Sequence, residues 1–305
     1  MKKQKILITG AAGFIGNHLA KKFIDSEHEV LGWDIAESKD DFEIKKIDMS
    51  SIESIKKELL LYNPDVIVHC AGCADVGKSV LNPYKDYDGN VSLTHNIMFS
   101  LHELEMKNTR FVFLSSASVY GNPNKLPITE DMDTNPLSPY AVHKVMCEDL
   151  CRYFNLNYGM DVKVARIFSA YGAGLRKQIF WDMFCKSKSG ALSLFGTGYE
   201  SRDYIHVNDV VNALYLIATV QSNNIYFNVA NGEETTIHQV ADIFAKYAKI
   251  DEKNILFNGV VREGDPINWK ADISNIKKLG YRKTVDIDKG IAAYLEWCNN
   301  VEKNK

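Results

Sequence analysis

Tyr140 and Lys144 stand on either side of one helical turn in Ser138-Pro139-Tyr140-Ala141-Val142-His143-Lys144. Ser138 fits a helix N-cap and Pro139 the first helical position, so this spacing stacks the phenol and the amine on one face of a helix. An ammonium beside a phenol favours the phenolate, a usable general base for an alcohol. Tyr-x-x-x-Lys arises by chance on surface helices, so the pair needs company. It has some upstream, in Phe111-Val112-Phe113-Leu114-Ser115-Ser116-Ala117-Ser118-Val119-Tyr120-Gly121. An apolar strand ending in hydroxyls puts small donors at a sheet edge, where Ser116 or Ser118 could hold a reacting oxygen. Taken alone, that segment reads as an ordinary polar strand end.

A second constellation opens the chain. Ile6-Leu7-Ile8-Thr9-Gly10-Ala11-Ala12-Gly13-Phe14-Ile15-Gly16 joins a strand to a helix. Glycines there allow a tight turn, close approach of backbone N–H groups to a pyrophosphate, and a helix N-terminus facing its negative oxygens. The first gap is one residue longer than in the commoner dinucleotide fingerprint, and a purely structural glycine turn is the alternative. Asp34 ends the next strand candidate, where a carboxylate bridges a ribose 2′-hydroxyl and repels a 2′-phosphate. That favours NAD over NADP, although neighbouring Glu37 and Asp40 make a chance acid credible. Asp48, before Met49-Ser50-Ser51, either accepts from an adenine amino group or caps the next helix.

The elements that must position these residues are legible as a pattern. Strand-like runs at Lys5–Thr9, Glu29–Trp33, Val66–Cys70, Arg110–Ser115 and Val162–Phe168 alternate with helical patterns. The helices are expected at Phe14–Asp25, Ile52–Tyr62, Leu93–Met106 and Tyr140 to about Tyr158. Such βαβα alternation with near-continuous apolar strands predicts an α/β fold, a Rossmann-type doubly wound parallel sheet. Further on, a helix is expected around Gln178–Lys186, another at Asn208–Thr219, a late strand at Ile225–Val229 and a final helix at Lys289–Asn299. The expected division is an NAD-binding domain of residues 1–168, rejoined by 203–231. Residues 169–202 and 232–305 would form a smaller α/β substrate-binding lobe.

Composition bounds the partners. Lys+Arg 36 against Asp+Glu 39 gives a formal charge of −3, so no nucleic-acid partner is expected. No apolar run approaches the ~20 residues of a membrane span. The N-terminus leaves no room for a signal segment, and six cysteines are sparse for a disulfide framework, so the expected compartment is cytoplasmic. No metal is expected. Cys70-Ala71-Gly72-Cys73 has redox spacing but ends a buried strand and reads as coincidence. Cys147 and Cys151 read as core or interface thiols, and His69, His143 and His206 need no ligand role.

Thr9–Gly16, Val66-Ile67-Val68-His69-Cys70-Ala71-Gly72, Ser115–Gly121, the Tyr140/Lys144 pair and Arg202-Asp203-Tyr204-Ile205-His206-Val207-Asn208-Asp209-Val210 together resemble the extended short-chain dehydrogenases. These are the NAD-dependent epimerase/dehydratase group acting on nucleotide sugars, and the resemblance covers nearly the whole chain. It implies tightly held NAD, with Gly10, Gly13, Phe14, Ile15, Gly16, Asp34, Asp48, Met49, Ala71, Tyr140 and Lys144 around it. It also implies a catalytic set of Ser116, Tyr140 and Lys144, and homodimers built on the helices near 93–106 and 140–158.

The residues just after the serine discriminate between branches. Dehydratases and decarboxylases of the group carry acids where this chain has Ser116-Ala117-Ser118. Losing a general acid removes about 10²–10⁴-fold from such chemistry. The Ser-Ser-Ala-Ser-Val-Tyr-Gly run, Ala74-Asp75-Val76-Gly77-Lys78-Ser79-Val80 and Arg262-Glu263-Gly264-Asp265 resemble the UDP-galactose 4-epimerases. That likeness implies that Arg202 and Arg262 hold the diphosphate and Asp265 the nucleotide ribose, with Ser116, Ser118, Ser169 and Trp269 toward the sugar. There are three departures: Ala74 replaces a lysine, Ser169 an often-found asparagine, and Trp269 fills a position that gates the sugar pocket. Its bulk is expected to exclude an N-acetyl group at C2. The expected function is C4 epimerisation of a UDP-hexose through a transient 4-keto sugar, an activity of polysaccharide biosynthesis. The alternatives are a one-way nucleotide-sugar C4 dehydrogenase or 4-keto reductase and, less favoured, a non-catalytic NAD-binding regulator.

Overall fold

Strands that are apolar on both faces need cover on both faces, and the chain supplies it. The computed structural model describes residues 3–36, 42–260 and 266–303. Seven parallel strands form the central sheet: β1 (Lys5–Thr9), β2 (Glu29–Asp34), β3 (Ile44–Lys46), β4 (Val66–His69), β5 (Arg110–Ser116), β6 (Val162–Ile167) and β7 (Tyr226–Val229). Their order is β7-β6-β5-β4-β1-β2-β3, the Rossmann arrangement. The chain reverses direction across the sheet between β1 and β4, the place where such sheets open a crevice at their C-terminal edge.

Eight longer helices succeed one another in chain order: α1 (Phe14–Asp25), α2 (Ile52–Tyr62), α3 (Leu93–Glu103), α4 (Pro139–Tyr158), α5 (Gln178–Ser187), α6 (Val207–Thr219), α7 (Ile237–Ala248) and α8 (Ile287–Lys303). The strand period of two divides the core. Ile6, Ile8, Val66, Val68, Val112 and Leu114 pack with Leu19 and Phe23 of α1 and Val210 and Leu214 of α6. Leu7, Ile67, Phe111 and Phe113 face the other way, onto Ile55 and Leu59 of α2, Ile97 and Leu101 of α3, and Cys147 and Cys151 of α4. A third apolar cluster gathers Phe180 and Phe184 of α5, Val240 and Phe244 of α7, and Ile291 and Tyr294 of α8.

Several boundaries differ from those the sequence predicts. β3 is an addition: two of its three residues are lysines at a sheet edge, and they carry no apolar signal. Two short helices, Val76–Leu81 and Pro83–Tyr87, come after β4, capped by Asp75 and Asn82 side chains. α3 stops at Glu103, short of Met106, because Glu105 takes a left-handed φ of 53°. The cap of α2 is Ser51, whose hydroxyl accepts from Ser54 N. Asp48 instead closes the preceding turn, so the helix-cap reading of Asp48 is corrected.

Candidate active site

The glycine turn leaves β1 at the switch point. Gly10 has φ +67°, and a Cβ there would lie 2.7 Å from Ala71 N. A Cβ on Gly16 would stand 2.2 Å from the Gly10 carbonyl oxygen. Both positions therefore demand glycine, one for its backbone and one for helix-on-strand contact. Gly13 is the N-cap of α1 and makes no side-chain capping bond. A helix N-terminus that no cap side chain occupies is the form an anion site takes. This shape fits a dinucleotide. Phe14 and Ile15 begin α1 beside the turn, and Ala71 N donates to Thr9 Oγ1 at 3.2 Å.

Asp34 comes to the same turn. Its Oδ2 accepts from Ala12 N and its Oδ1 from Ala36 N, both at 2.9 Å, leaving further lone pairs for a ligand. Asp48 is exposed and accepts from Ser50 N at 3.0 Å and Ser50 Oγ at 2.6 Å. Those bonds hold its carboxyl below the usual range. Met49 is buried beside it, and its carbonyl accepts from Asn96 Nδ2 at 3.1 Å.

At the end of β5 the serines divide by the strand alternation. Ser115 turns inward and donates to Glu148 Oε1 at 2.5 Å. Ser116 and Ser118 line an open cavity of about 680 Å³ together with Tyr140. Ser116 Oγ accepts from Ser118 N at 3.2 Å. Ser118 Oγ is buried without a hydrogen-bond partner, a donor that a ligand would satisfy. Helix α4 starts as expected: Ser138 Oγ accepts from Ala141 N at 3.3 Å, and Tyr140 N donates to Ser79 Oγ at 3.1 Å. Lys144 Nζ donates to the Leu114 carbonyl at 2.9 Å and lies 5.8 Å from the centre of the Tyr140 ring. Among the described residues no acid pairs with it.

One turn further along α4 sits a very different cluster, built on Glu148. Glu148 receives Arg166 Nη2 at 2.6 Å and Nε at 3.0 Å. Arg166 Nη1 donates to Tyr120 Oη at 2.8 Å, and Tyr120 donates to Asn228 Oδ1 at 2.7 Å. Burial works to lower the Arg166 pKa, but Glu148 and Tyr120 more than offset it. This network is fully satisfied and tethers β5, β6, β7 and α4.

The far wall of the cavity comes from the second half of the chain. Ser169, Arg202 and Trp269 all line it. Arg202 Nη1 donates to the Ser201 carbonyl at 2.8 Å, and its guanidinium lies 5.6 Å from the centre of the Trp269 ring. Trp269 is clamped: its Nε1 donates to the Gly121 carbonyl at 3.0 Å, and Phe168 meets it edge-on. Arg262 and Asp265 lie outside the described residues. Asp203 is wholly buried and accepts from Asn231 N, Gly232 N and Ala271 N at 2.9–3.1 Å. Burial pushes its carboxyl up to about 7, with those three donors opposing. Lys177, Gln178 and Phe195 also line the cavity. Sequence reasoning passes over them because no local pattern marks them.

The remaining signals resolve as structure. Burial pushes the Cys70 thiol up to about 12, with Lys144 opposing, and burial raises Cys73 as well. His69 is pushed down to about 3 by burial and by Lys144, and bridges Thr9 and Thr94. His143 Nδ1 lies 2.6 Å from Asp86 Oδ2. Among the described residues no cluster of His, Cys, Asp or Glu is arranged to hold a metal ion. No helix of the described residues is long and apolar enough to cross a membrane.

The sequence profile of the NAD dependent epimerase/dehydratase family matches residues 6–230. A Methanocaldococcus jannaschii protein, provisionally named UDP-glucose 4-epimerase, is 32% identical over 97% of this chain and 98% of its own. Among solved structures, a UDP-N-acetylglucosamine 4-epimerase from Methanobrevibacter ruminantium, in complex with UDP-N-acetylmuramic acid, superposes with a TM-score of 0.89. It is 26% identical, covering 99% of this chain and 100% of that one. A UDP-glucuronic acid 4-epimerase from Bacillus cereus, in complex with UDP-glucuronic acid and NAD, gives 0.88 at 25% identity, covering 97% and 99%.

Proposed function

Because the chain belongs to the NAD-dependent epimerase/dehydratase family, we propose that it inverts C4 of a nucleotide-linked sugar, a UDP-hexose in the first instance. One observation carries the reading. Tyr140, backed by the Lys144 ammonium, opens with Ser116 and the orphaned Ser118 hydroxyl onto one cavity. NAD would be held by the Gly10–Gly16 turn, Asp34, Asp48, Met49, Ala71, Tyr140 and Lys144; when bound it supplies reversible hydride acceptance at C4. In this mechanism Tyr140 takes the proton of the C4 hydroxyl. Ser116 donates to that oxygen, and the Lys144 ammonium stands beside the Tyr140 ring as its electrostatic partner. The 4-keto sugar turns in the cavity, and Tyr140 returns the proton when C4 is reduced from the opposite face.

Arg202, with Arg262 and Asp265 from the sequence, is assigned to the nucleotide diphosphate and ribose. Ser118, Ser169 and Trp269 are assigned to the sugar. The segments around the third apolar cluster then serve as the substrate-binding lobe. An exposed apolar stripe on α4, Val142, Met146, Tyr153 and Leu156, supports a homodimer built on that helix. Six free thiols support a cytoplasmic setting.

The test is to incubate the purified protein with UDP-, GDP- and dTDP-sugars and follow products by NMR. C4 inversion without added cofactor is expected. A strict need for added NAD(H) with one-way product would favour the dehydrogenase or reductase reading. Binding of NAD with no nucleotide sugar accepted would favour the regulator.

A further inference from the structure

The likeness to the 4-epimerases breaks at Ala74, where a lysine is expected, and the fold brings another lysine to that place. Lys177 Nζ donates to the Ala74 carbonyl at 2.8 Å, across 103 residues of chain. Both residues line the cavity with Ser116, Ser118 and Tyr140. The backbone delivering it is unusual. Lys177 is extended (φ −156°, ψ 178°) and stands at the N-cap of α5 without a side-chain capping bond. Gln178 then takes φ +63°, the left-handed region that costs any residue with a side chain and persists where a functional edge is held in place.

The acids around the cavity are already committed. Asp75 accepts from Lys78 N at 2.9 Å, and Lys78 Nζ stands 3.6 Å from its other oxygen. Asp182 pairs with Lys186 at 2.6 Å. Glu200 accepts from Thr197 N and Gly198 N, and Arg202, assigned above to the diphosphate, lies beside Trp269. Among the described residues the Lys177 ammonium donates to one neutral carbonyl, and an ammonium has three N–H donors. Lys177 is an exposed residue along the cavity. Burial lowers its pKa from the ordinary lysine value, with Asp75 opposing and Lys78 reinforcing. A cation so placed favours an incoming anion.

We propose that Lys177 recognises an anionic oxygen of the bound nucleotide sugar, and that it supplies the positive charge that Ala74 does not. That oxygen comes either from a carboxylate on the sugar or from the diphosphate. The inference rests on the nucleotide-sugar reading of this cavity.

The experiment is calorimetric titration of the intact enzyme with UDP, UDP-glucose and UDP-glucuronate. It compares the wild type with Lys177→Gln, which keeps a donor toward Ala74 but loses the charge, and with Lys177→Arg. Thermal melts of all three proteins confirm folding. If the diphosphate is the source, Lys177→Gln weakens all three ligands by about tenfold or more. If a sugar carboxylate is the source, only UDP-glucuronate weakens. In either case Lys177→Arg restores most of the loss. Unchanged affinity of Lys177→Gln for all three ligands overturns the proposal. So does a loss that Lys177→Arg leaves in place, which would mark a structural strut. A wild type that binds none of the three removes the nucleotide-sugar reading itself, and this proposal with it.

Discussion

Helix α4 contributes to two buried cation-and-phenol arrangements, through Lys144 and Glu148 one turn apart, and they are opposites. Around Glu148 every charge has a partner: a carboxylate, a guanidinium, a phenol and an amide close on one another away from the cavity. Around Lys144 the ammonium has a carbonyl and the faces of Phe113 and Tyr140, and the phenol opens onto space. The first arrangement has no capacity left for a ligand. The second is incomplete without one. Buried polarity by itself therefore does not identify a reactive centre; uncompensated polarity at a cavity does.

That contrast can be broken at either end. Tyr140→Phe should cost about 10²–10⁴-fold in turnover while leaving nucleotide and nucleotide-sugar binding intact; an active variant in the NMR assay would take the base away from Tyr140. Glu148→Ala should act on the fold instead, stranding Arg166 and lowering stability by about 3–5 kcal/mol in denaturant unfolding. A variant as stable as the wild type would mean the network is ornamental. Along the cavity wall, the clamped Trp269 should disfavour UDP-N-acetylhexosamines by about ten- to hundredfold in kcat/KM against the matching hexose, and Trp269→Ala should narrow that gap. Equal turnover by the wild type would refute the gate; the similar Methanobrevibacter ruminantium structure is that of a UDP-N-acetylglucosamine 4-epimerase, which makes this measurement discriminating. The smallest effect belongs to Ser118→Ala. It should weaken sugar binding by about 0.5–1.5 kcal/mol and leave the melting temperature unchanged, because the lost hydroxyl has no protein partner.

How much the sequence discloses depends on how local each signal is. The glycine turn, the capped Tyr140 helix and the apolar strands are written in contiguous residues, and their alternation implies a doubly wound parallel sheet though not its strand order. Ile44–Lys46 is invisible because a three-residue edge strand with two lysines has no apolar signature. Asp48 reads as a possible helix cap because Ser51, three residues on, satisfies the same pattern, yet Ser51 wins the hydrogen bond. Lys177 and Glu148 are out of reach for a different reason. Each gains its meaning from a partner distant in the chain, Ala74 for one and Arg166 for the other, and nothing near either residue announces that meeting.

The buried Asp203 carboxylate has a mechanical consequence. Its two oxygens receive backbone N–H groups from residues 231, 232 and 271, while the residues on either side of it, Arg202 and Tyr204, face the cavity. Three strands of chain are thus pinned at a single point, like spokes at a hub. Any widening or tightening of this side of the cavity must carry Arg202 and Trp269 along together, so the residue proposed to grip the nucleotide and the residue proposed to bound the sugar cannot be adjusted separately.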